Sequence, residues 1–452
     1  MPDPILQMND VCVDYVLEEG TVHAVRGATY KLFSNETLAL VGESGCGKSQ
    51  SSYAAIGLVQ PPGEVSGQIL FQPDPAEPPI DLLGFERNSA AMRKIRGGKI
   101  AMIFQEPMSS LSPVHRVGRQ IDEVIELHST RTPGQKAWLN ARAWIGRLLG
   151  LAVGLVAGVA AGIVAGAVLS YVLMGLRFAL VAVHIVAPSN TWWFWSAVLR
   201  NTPQHYAQWL WSCESTRTWV PICSSLLALV VGPLGWKTGL RIAILREYRE
   251  GLARGVKLLT QVGIPDPARR YRQYSFEFSG GMRQRIMIAI ALACNPAVLF
   301  ADEPTTGLDV TIQAQILELI RALQRQTHMS MVLITHDLAV VAERADRVAI
   351  MYLGKIVELA DVYTLFASPR HPYTVALMRS VIGSPLTADG RLATIRGTVP
   401  GPLEDVPGCP FHPRCDQFIP GVCDRVVPPF RAVDDKTQTA CHLYDGQQKK
   451  GP

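Results

Sequence analysis

The run Gly42-Glu43-Ser44-Gly45-Cys46-Gly47-Lys48-Ser49 carries the spacing G-x-x-x-x-G-K-[ST] in full. Glycines so placed let backbone N–H groups curl round phosphate oxygens with no Cβ in the way. A helix that begins at the lysine offers the same anion its positive end. Lys48 would reach the β and γ phosphates, and the Ser49 hydroxyl would complete the shell of a Mg²⁺ ion, which prefers hard oxygen ligands. The chemistry these residues point to is nucleotide binding.

Other polar residues end apolar runs. Gln105 follows Lys99–Phe104, Asp302 and Glu303 follow Ala297–Ala301, and His336 follows Met331–Thr335. Taken singly, each fits a turn or a helix cap. Taken together, the continuous apolar runs read as parallel strands covered on both faces, whose ligands lie beyond their carboxyl ends. Ser49, Gln105, Asp302, Glu303 and His336 are therefore expected to converge on one sheet edge. There Asp302 would hold Mg²⁺ through water, Glu303 would polarise the attacking water, His336 would contact the γ phosphate, and Gln105 would sense metal and water. Such catalysis is positioning plus charge stabilisation, without a covalent intermediate.

The elements needed to position these groups are legible nearby. Thr37–Val41 is an apolar strand leading into the glycine loop, and no helix breaker follows Lys48 before Gly57. Residues 5–40 alternate apolar and polar positions around turns at Glu19-Gly20 and Ser34-Asn35, which predicts antiparallel strands. Tyr15, in the first of them, either stacks on adenine or is an ordinary strand tyrosine. Residues 60–98, rich in Pro, Gly and Arg, read as surface excursions. Ser279-Gly280-Gly281-Met282 opens a helical run and makes a second anion site, far along the chain from the first.

At this point the chain resembles the ATP-binding subunits of ABC transporters. The resemblance implies that Tyr15 is the adenine-stacking aromatic, Gly42 to Ser49 the Walker A loop, Gln105 the Q-loop glutamine and Ser279 to Met282 the signature. It likewise implies that Asp302 is the Walker B aspartate, Glu303 the catalytic glutamate, Asp309 the D-loop aspartate and His336 the switch histidine. Met282 stands where the broad family most often has glutamine. Phe278 to Arg285, Phe104-Gln105-Glu106-Pro107-Met108 and His371-Pro372-Tyr373 are similar to the ATPases of oligopeptide and dipeptide importers. The resemblance covers about residues 1–128 and 246–445. Importers of nickel chelates or glutathione, and non-transport ABC ATPases, are the alternative readings.

The 452-residue chain is 48% hydrophobic and 18% charged, with a formal charge of +5. That mild charge does not argue for nucleic acid. The first ten residues carry no basic region followed by an apolar core, so no secretory signal is expected and the ATPase should face the cytosol. The apolar excess is local, between His128 and about Arg246, where the family has a short helical connection. Leu148 to Leu176 holds no Asp, Glu, Lys or Arg, and is longer than the roughly 20 residues that span a bilayer. Gly150, Gly154, Gly158, Gly162 and Gly166 share one helix face, as small residues do where membrane helices approach. Phe178–Leu199 and Thr218–Trp236 are further apolar runs, with tryptophans crowded around them. Both ends of the insert join cytosolic elements, so two crossings are expected: Leu148–Met174 out, and one of the two later runs back. Arg142 and Arg147 on one side, and Lys237 and Arg241 on the other, favour the later return, which places Cys213 outside.

Nine cysteines in a reducing compartment are free or metal ligands rather than a disulfide framework. Cys409, Cys415, Cys423 and Cys441 cluster in a Pro-rich tail, and four thiolates suit Zn²⁺ or a [4Fe-4S] cluster. The resemblance inclines the choice to iron–sulfur. The expected fold is α/β: an ABC-type P-loop NTPase with a mixed-sheet core, a helical subdomain carrying a membrane-inserted hydrophobic insertion, and a small Cys-containing C-terminal region. The expected divisions are 1–128 and 246–366 for the ATPase core, 129–245 for the insertion and 367–452 for the C-terminal region. ATP and Mg²⁺ are the expected cofactors. The resemblance implies as partners two permease subunits, a second ABC ATPase (a paralogue or another copy) and an extracytoplasmic solute-binding protein. It places the protein at the inner membrane, with the ATPase on the cytoplasmic side.

Overall fold

The computed structural model describes residues 3–106, 110–128, 144–145, 148–149, 151–169, 171–172, 175, 225–227, 231, 252–380, 394–401 and 403–446. The chain divides into two compact units, one of residues 1–129 with 254–452 and one of residues 130–253.

The first unit is built on two sheets. Strands β1 (Pro4–Leu17) and β2 (Gly20–Phe33) are the antiparallel pair foreseen from alternation, and their inward residues Leu6, Met8, Val11, Val13, Val25 and Leu32 are fully buried. The stretch read as surface excursions is corrected: it contributes strand β4 (Gly63–Phe71), which pairs antiparallel with β1 and buries Ile69 and Phe71. The short strand β5 (Ile80–Asp81) follows it, giving the order β2-β1-β4-β5. Only the alternate residues of β4 face the core, so its polar composition hid a half-buried strand.

The second sheet runs β11-β12-β10-β9-β3-β8-β7-β6. Its centre is parallel: β3 (Thr37–Val41), β6 (Ile100–Ile103), β7 (Val298–Asp302), β8 (Ser330–Thr335) and β9 (Arg347–Tyr352). Every residue of β3, β7 and β8 is buried, as continuous apolar runs require. Strands β10 (Lys355–Asp361), β11 (Arg431–Ala432) and β12 (Thr437–Thr439) extend the sheet in antiparallel sense. The C-terminal tail, which has little core of its own by composition, thus shares the core of the main sheet. Phe411 and Cys409 pack with Val348, Tyr352 and Tyr373.

Helices used below are α1 (Lys48–Ala55), α2 (Ala90–Ile95) and α3 (Val117–His128) before the insertion, and α4 (Leu151–Leu169) within it. After it come α5 (Gly280–Leu292), α6 (Val310–Thr327), α7 (Leu338–Arg344), α8 (Val362–Ala367) and α9 (Pro372–Arg379).

In the second unit, α4 has a mean hydropathy of 2.3 and is, among the described residues, the one helix long and apolar enough to cross a membrane. Gly154, Gly158, Gly162 and Gly166 are buried, while Val153, Val156, Val164 and Val168 are exposed. Gly150, the run Phe178–Leu199, most of Thr218–Trp236 and Cys213 lie outside the described residues.

Candidate functional site

The phosphate loop joins the end of β3 to the start of α1. Gly47 caps α1 at φ 98°, a left-handed conformation that disfavours any side chain. Gly42 is required by closeness instead, since a Cβ there would lie 2.2 Å from the Met351 carbonyl oxygen of β9. Lys48 is 6% exposed, and its ammonium donates to the carbonyls of Gly42 at 2.8 Å and Glu43 at 3.0 Å. The cation is thus stowed in its own loop. Cys46 turns inward to the core, and burial raises its thiol pKa. Ser44 and Gly45 complete the loop, and Gly45 has φ 79°.

Four groups gather at the carboxyl ends of β6, β7 and β8. Gln105 Nε2 donates to Glu303 Oε2 at 2.9 Å, and Thr306 Oγ1 donates to the same oxygen at 2.9 Å. His336 Nδ1 lies 3.0 Å from Glu303 Oε1. Opposite a carboxylate that ring nitrogen carries the hydrogen, which leaves Nε2 for a ligand. Burial opposes ionisation of Glu303, but the bonds from His336 and Thr306, with the charge of Lys48, outweigh it and hold the carboxyl below its usual range. Glu303 also sits at φ 43°, a strained value for a residue with a side chain.

Asp302, beside it, is 1% exposed, and neither of its carboxylate oxygens finds a full hydrogen bond. Burial raises its pKa, partly offset by the nearby Ser49 hydroxyl and, more weakly, by Lys48. A buried carboxylate short of donors, next to a serine hydroxyl and a phosphate loop, is suited to a cation with its waters.

Tyr15 donates its hydroxyl to Gln50 Oε1 at 2.7 Å, which fixes the ring against α1. The run Ser279-Gly280-Gly281-Met282 forms the start of α5, with Ser279 at the N-cap making no side-chain cap bond. Ser279 and Gly280 are exposed, so the helix's amino end faces outward. Gly281 packs on α6, where a Cβ would meet Ile312 Cγ2 at 2.8 Å. Asp309 caps α6 through a 3.0 Å bond from the Ile312 N–H. Gln313 of α6 donates to Asp337, the cap of α7 just after His336, at 3.3 Å.

The sequence reading missed Thr306, Gln313 and Asp337. The Thr-Thr-Gly-Leu-Asp run after Glu303 and the Asp following His336 were the available signals.

At the C-terminus Cys409, Cys415, Cys423 and Cys441 line one cavity with His371 and Phe411, and all four are free thiols. Burial pushes Cys409 up to about 11 and Cys441 up to about 12. Among the described residues, however, no group of three or more His, Cys, Asp or Glu side chains is gathered to hold a metal. Zn²⁺ or [4Fe-4S] at this place therefore gains no support from side-chain arrangement. The thiols share a cavity without forming a ligand cage.

The fold and the site define a P-loop ATPase that binds ATP with Mg²⁺ and hydrolyses it. Residues 25–153 and 223–306 match the family described as ABC transporter, and residues 357–423 match the family described as oligopeptide/dipeptide transporter, C-terminal region. The dipeptide transport ATP-binding protein DppD of Bacillus subtilis (strain 168) is 34% identical, over 98% of this chain and 96% of its own length. That of Escherichia coli (strain K12) is 33% identical, over 97% and 96%. A solved dimeric ATP-binding cassette with ADP and phosphate aligns to 79% of this chain and 98% of its own, at 16% identity and a TM-score of 0.46. The chain belongs to the ATP-binding proteins of ABC transporters, in the group that carries the oligopeptide/dipeptide C-terminal region.

Proposed function

We propose that this chain is the ATP-hydrolysing subunit of an importer of dipeptides or oligopeptides, working at the cytoplasmic side of the inner membrane with two permease subunits. The observation that carries the reading is the Glu303 carboxylate held by Gln105, Thr306 and His336 beside the buried, under-bonded Asp302. Both relatives named above are dipeptide transport proteins by name.

In this reading the backbone amides of the loop and Lys48 take the phosphates, Tyr15 takes the adenine, and Ser49, Gln105 and Asp302 hold Mg²⁺. The magnesium neutralises charge on the phosphates; everything else falls to side chains. Glu303 orients water, and Gln105 and His336 report on what occupies the site. The outward amino end of α5 meets the nucleotide of a second ATPase subunit, with Asp309 at the contact. That second subunit is a paralogue or another copy, and a solute-binding protein delivers the peptide.

The insertion is proposed to enter the membrane. Its support is the hydropathy of α4 and the apolar residues it exposes. The divisions 1–128, 129–245, 246–366 and 367–452 belong to the same proposal. So do the four C-terminal cysteines as ligands of Zn²⁺ or a [4Fe-4S] cluster, a reading that rests on their number and their free thiols and not on their arrangement. Iron, sulfide and zinc analysis of the anaerobically purified protein, beside Cys409→Ser, tests that part.

The importer reading is tested with vesicles that hold the chain and its permease. ATP hydrolysis should rise when peptide-loaded binding protein is added, and that rise should vanish in Glu303→Gln. Hydrolysis indifferent to any binding protein and permease would overturn it.

A further inference from the structure

Glu43 is an acidic residue inside an anion-binding loop, a position where an unneutralised carboxylate repels the ligand the loop exists to hold. The structure neutralises it from far away in sequence. Arg414 places Nη1 2.8 Å from Glu43 Oε2 and Nη2 3.2 Å from Oε1. This is the two-pronged fork that a guanidinium offers a carboxylate and an ammonium does not. A second anchor is the Tyr373 hydroxyl, which accepts the Glu43 backbone N–H at 3.1 Å.

Both anchors belong to the C-terminal region. Arg414 lies between Cys409 and Cys415, and Tyr373 lies on α9. The Arg414 side chain is 4% exposed against 25% for Glu43, so the pair is largely shielded from water. Arg414 is itself fixed on every side. It donates to Tyr352 Oη at 3.3 Å and to the Arg396 carbonyl at 2.9 Å, and it lies over the Tyr352 and Phe411 rings. Phe411 in turn contacts Tyr352, Tyr373 and His371, and with His371 it borders the cysteine-lined cavity.

We infer that Arg414 is a positioning residue for nucleotide binding: it clamps and neutralises Glu43, so the C-terminal region holds the phosphate loop in its binding shape. The inference needs only the nucleotide site, and it stands whether or not the transported solute is a peptide and whether or not the cysteines hold a metal.

The test uses the full-length chain in detergent, with MgATP affinity from titration of a fluorescent nucleotide, kcat and KM for hydrolysis, and thermal unfolding. Arg414→Ala should weaken MgATP binding about tenfold, as expected when a shielded charge loses its partner. KM should rise while kcat changes by less than about twofold, since the Glu303 cluster is untouched. Arg414→Lys, which keeps charge but loses the fork, should fall between. The decisive arm adds Glu43→Gln to Arg414→Ala. If the unpaired carboxylate is the harm, the double variant should bind within about threefold of wild type. An Arg414 that only stabilises the C-terminal fold would lower the melting temperature and show no such rescue. Absence of rescue, or unchanged affinity in Arg414→Ala, overturns the inference. Should Arg414→Ala fail to fold, Arg414→Lys with and without Glu43→Gln makes the same comparison.

Discussion

Gln105 and Glu303 are 198 positions apart in sequence, yet the Gln105 side-chain amide donates to the Glu303 carboxylate at 2.9 Å. Strands β6 and β7 are neighbours in parallel register, so the residues that leave their carboxyl ends meet over one edge. With Thr306 and His336, the glutamine gives the Glu303 carboxylate three donors, two on Oε2 and one on Oε1. The carboxylate is thereby held in place, with a lone pair of Oε1 left to accept from a further donor such as water.

Replacing Glu303 with glutamine should therefore separate binding from chemistry. The amide that takes the carboxylate's place can still accept from Gln105 and Thr306 but cannot take a proton. Hydrolysis should fall by about 10²–10⁴-fold, with MgATP affinity changed little. Steady-state ATPase rates beside a nucleotide titration check it, and a variant that hydrolyses within about tenfold of wild type removes Glu303 from the reaction.

His336→Ala should move the acid limb of the rate profile. Glu303 is held below its usual range partly by His336, so losing the histidine raises the Glu303 pKa. The carboxylate then protonates at higher pH, and the acid limb of kcat/KM shifts upward in pH. The sign for stability agrees. A depressed carboxyl contributes stability that is present above its unfolded pKa and lost as pH falls through the folded one, so this contribution should shrink in His336→Ala. A limb that stays in place in the variant would show that His336 does not set the ionisation of Glu303.

Asp302 behaves oppositely. Its pKa is raised by burial, so the proton it binds in the folded state stabilises the fold below the unfolded pKa. That contribution is lost as pH rises through the folded pKa. Asp302→Asn should raise the melting temperature of the metal-free protein at neutral pH and abolish the dependence of ATP binding on Mg²⁺. Thermal scans with and without Mg²⁺ decide it, since a fall in melting temperature would mean that Asp302 is satisfied as it stands.

Gly42→Ala should destabilise the fold and empty the phosphate loop together. The added methyl meets the Met351 carbonyl, backbone that cannot swing aside. The cost is about 1–3 kcal/mol or more, visible in thermal unfolding, with nucleotide binding lost in the material that remains folded. Ser44→Ala, in the same loop, serves as the control.

Expressed without any permease, the chain should sediment with membranes and resist alkaline extraction, because α4 exposes apolar residues along its length. Deleting residues 148–236 should release it. Release of the intact chain by alkali would show that the insertion lies on a surface instead.

The phosphate loop, the parallel strands and the polar residues at their ends were legible because each is local. A fixed spacing of glycines, or an unbroken apolar run, carries its meaning within a few residues. Strand β4 was not, because a strand with one wet face at the border of a Pro- and Gly-rich stretch differs little in composition from a loop, and only its pairing with β1 fixes it. The sequence by itself thus determined the nucleotide chemistry, the parallel strands of the core and the apolar character of the insertion. Tertiary structure alone decided that Thr306 joins Gln105 and His336 on Glu303, that Asp302 is buried short of donors, and that Arg414 reaches across 371 positions to Glu43. The physical reason is that hydrogen bonding and burial are settled by which surfaces the packed sheet brings together, and no spacing along the chain encodes that.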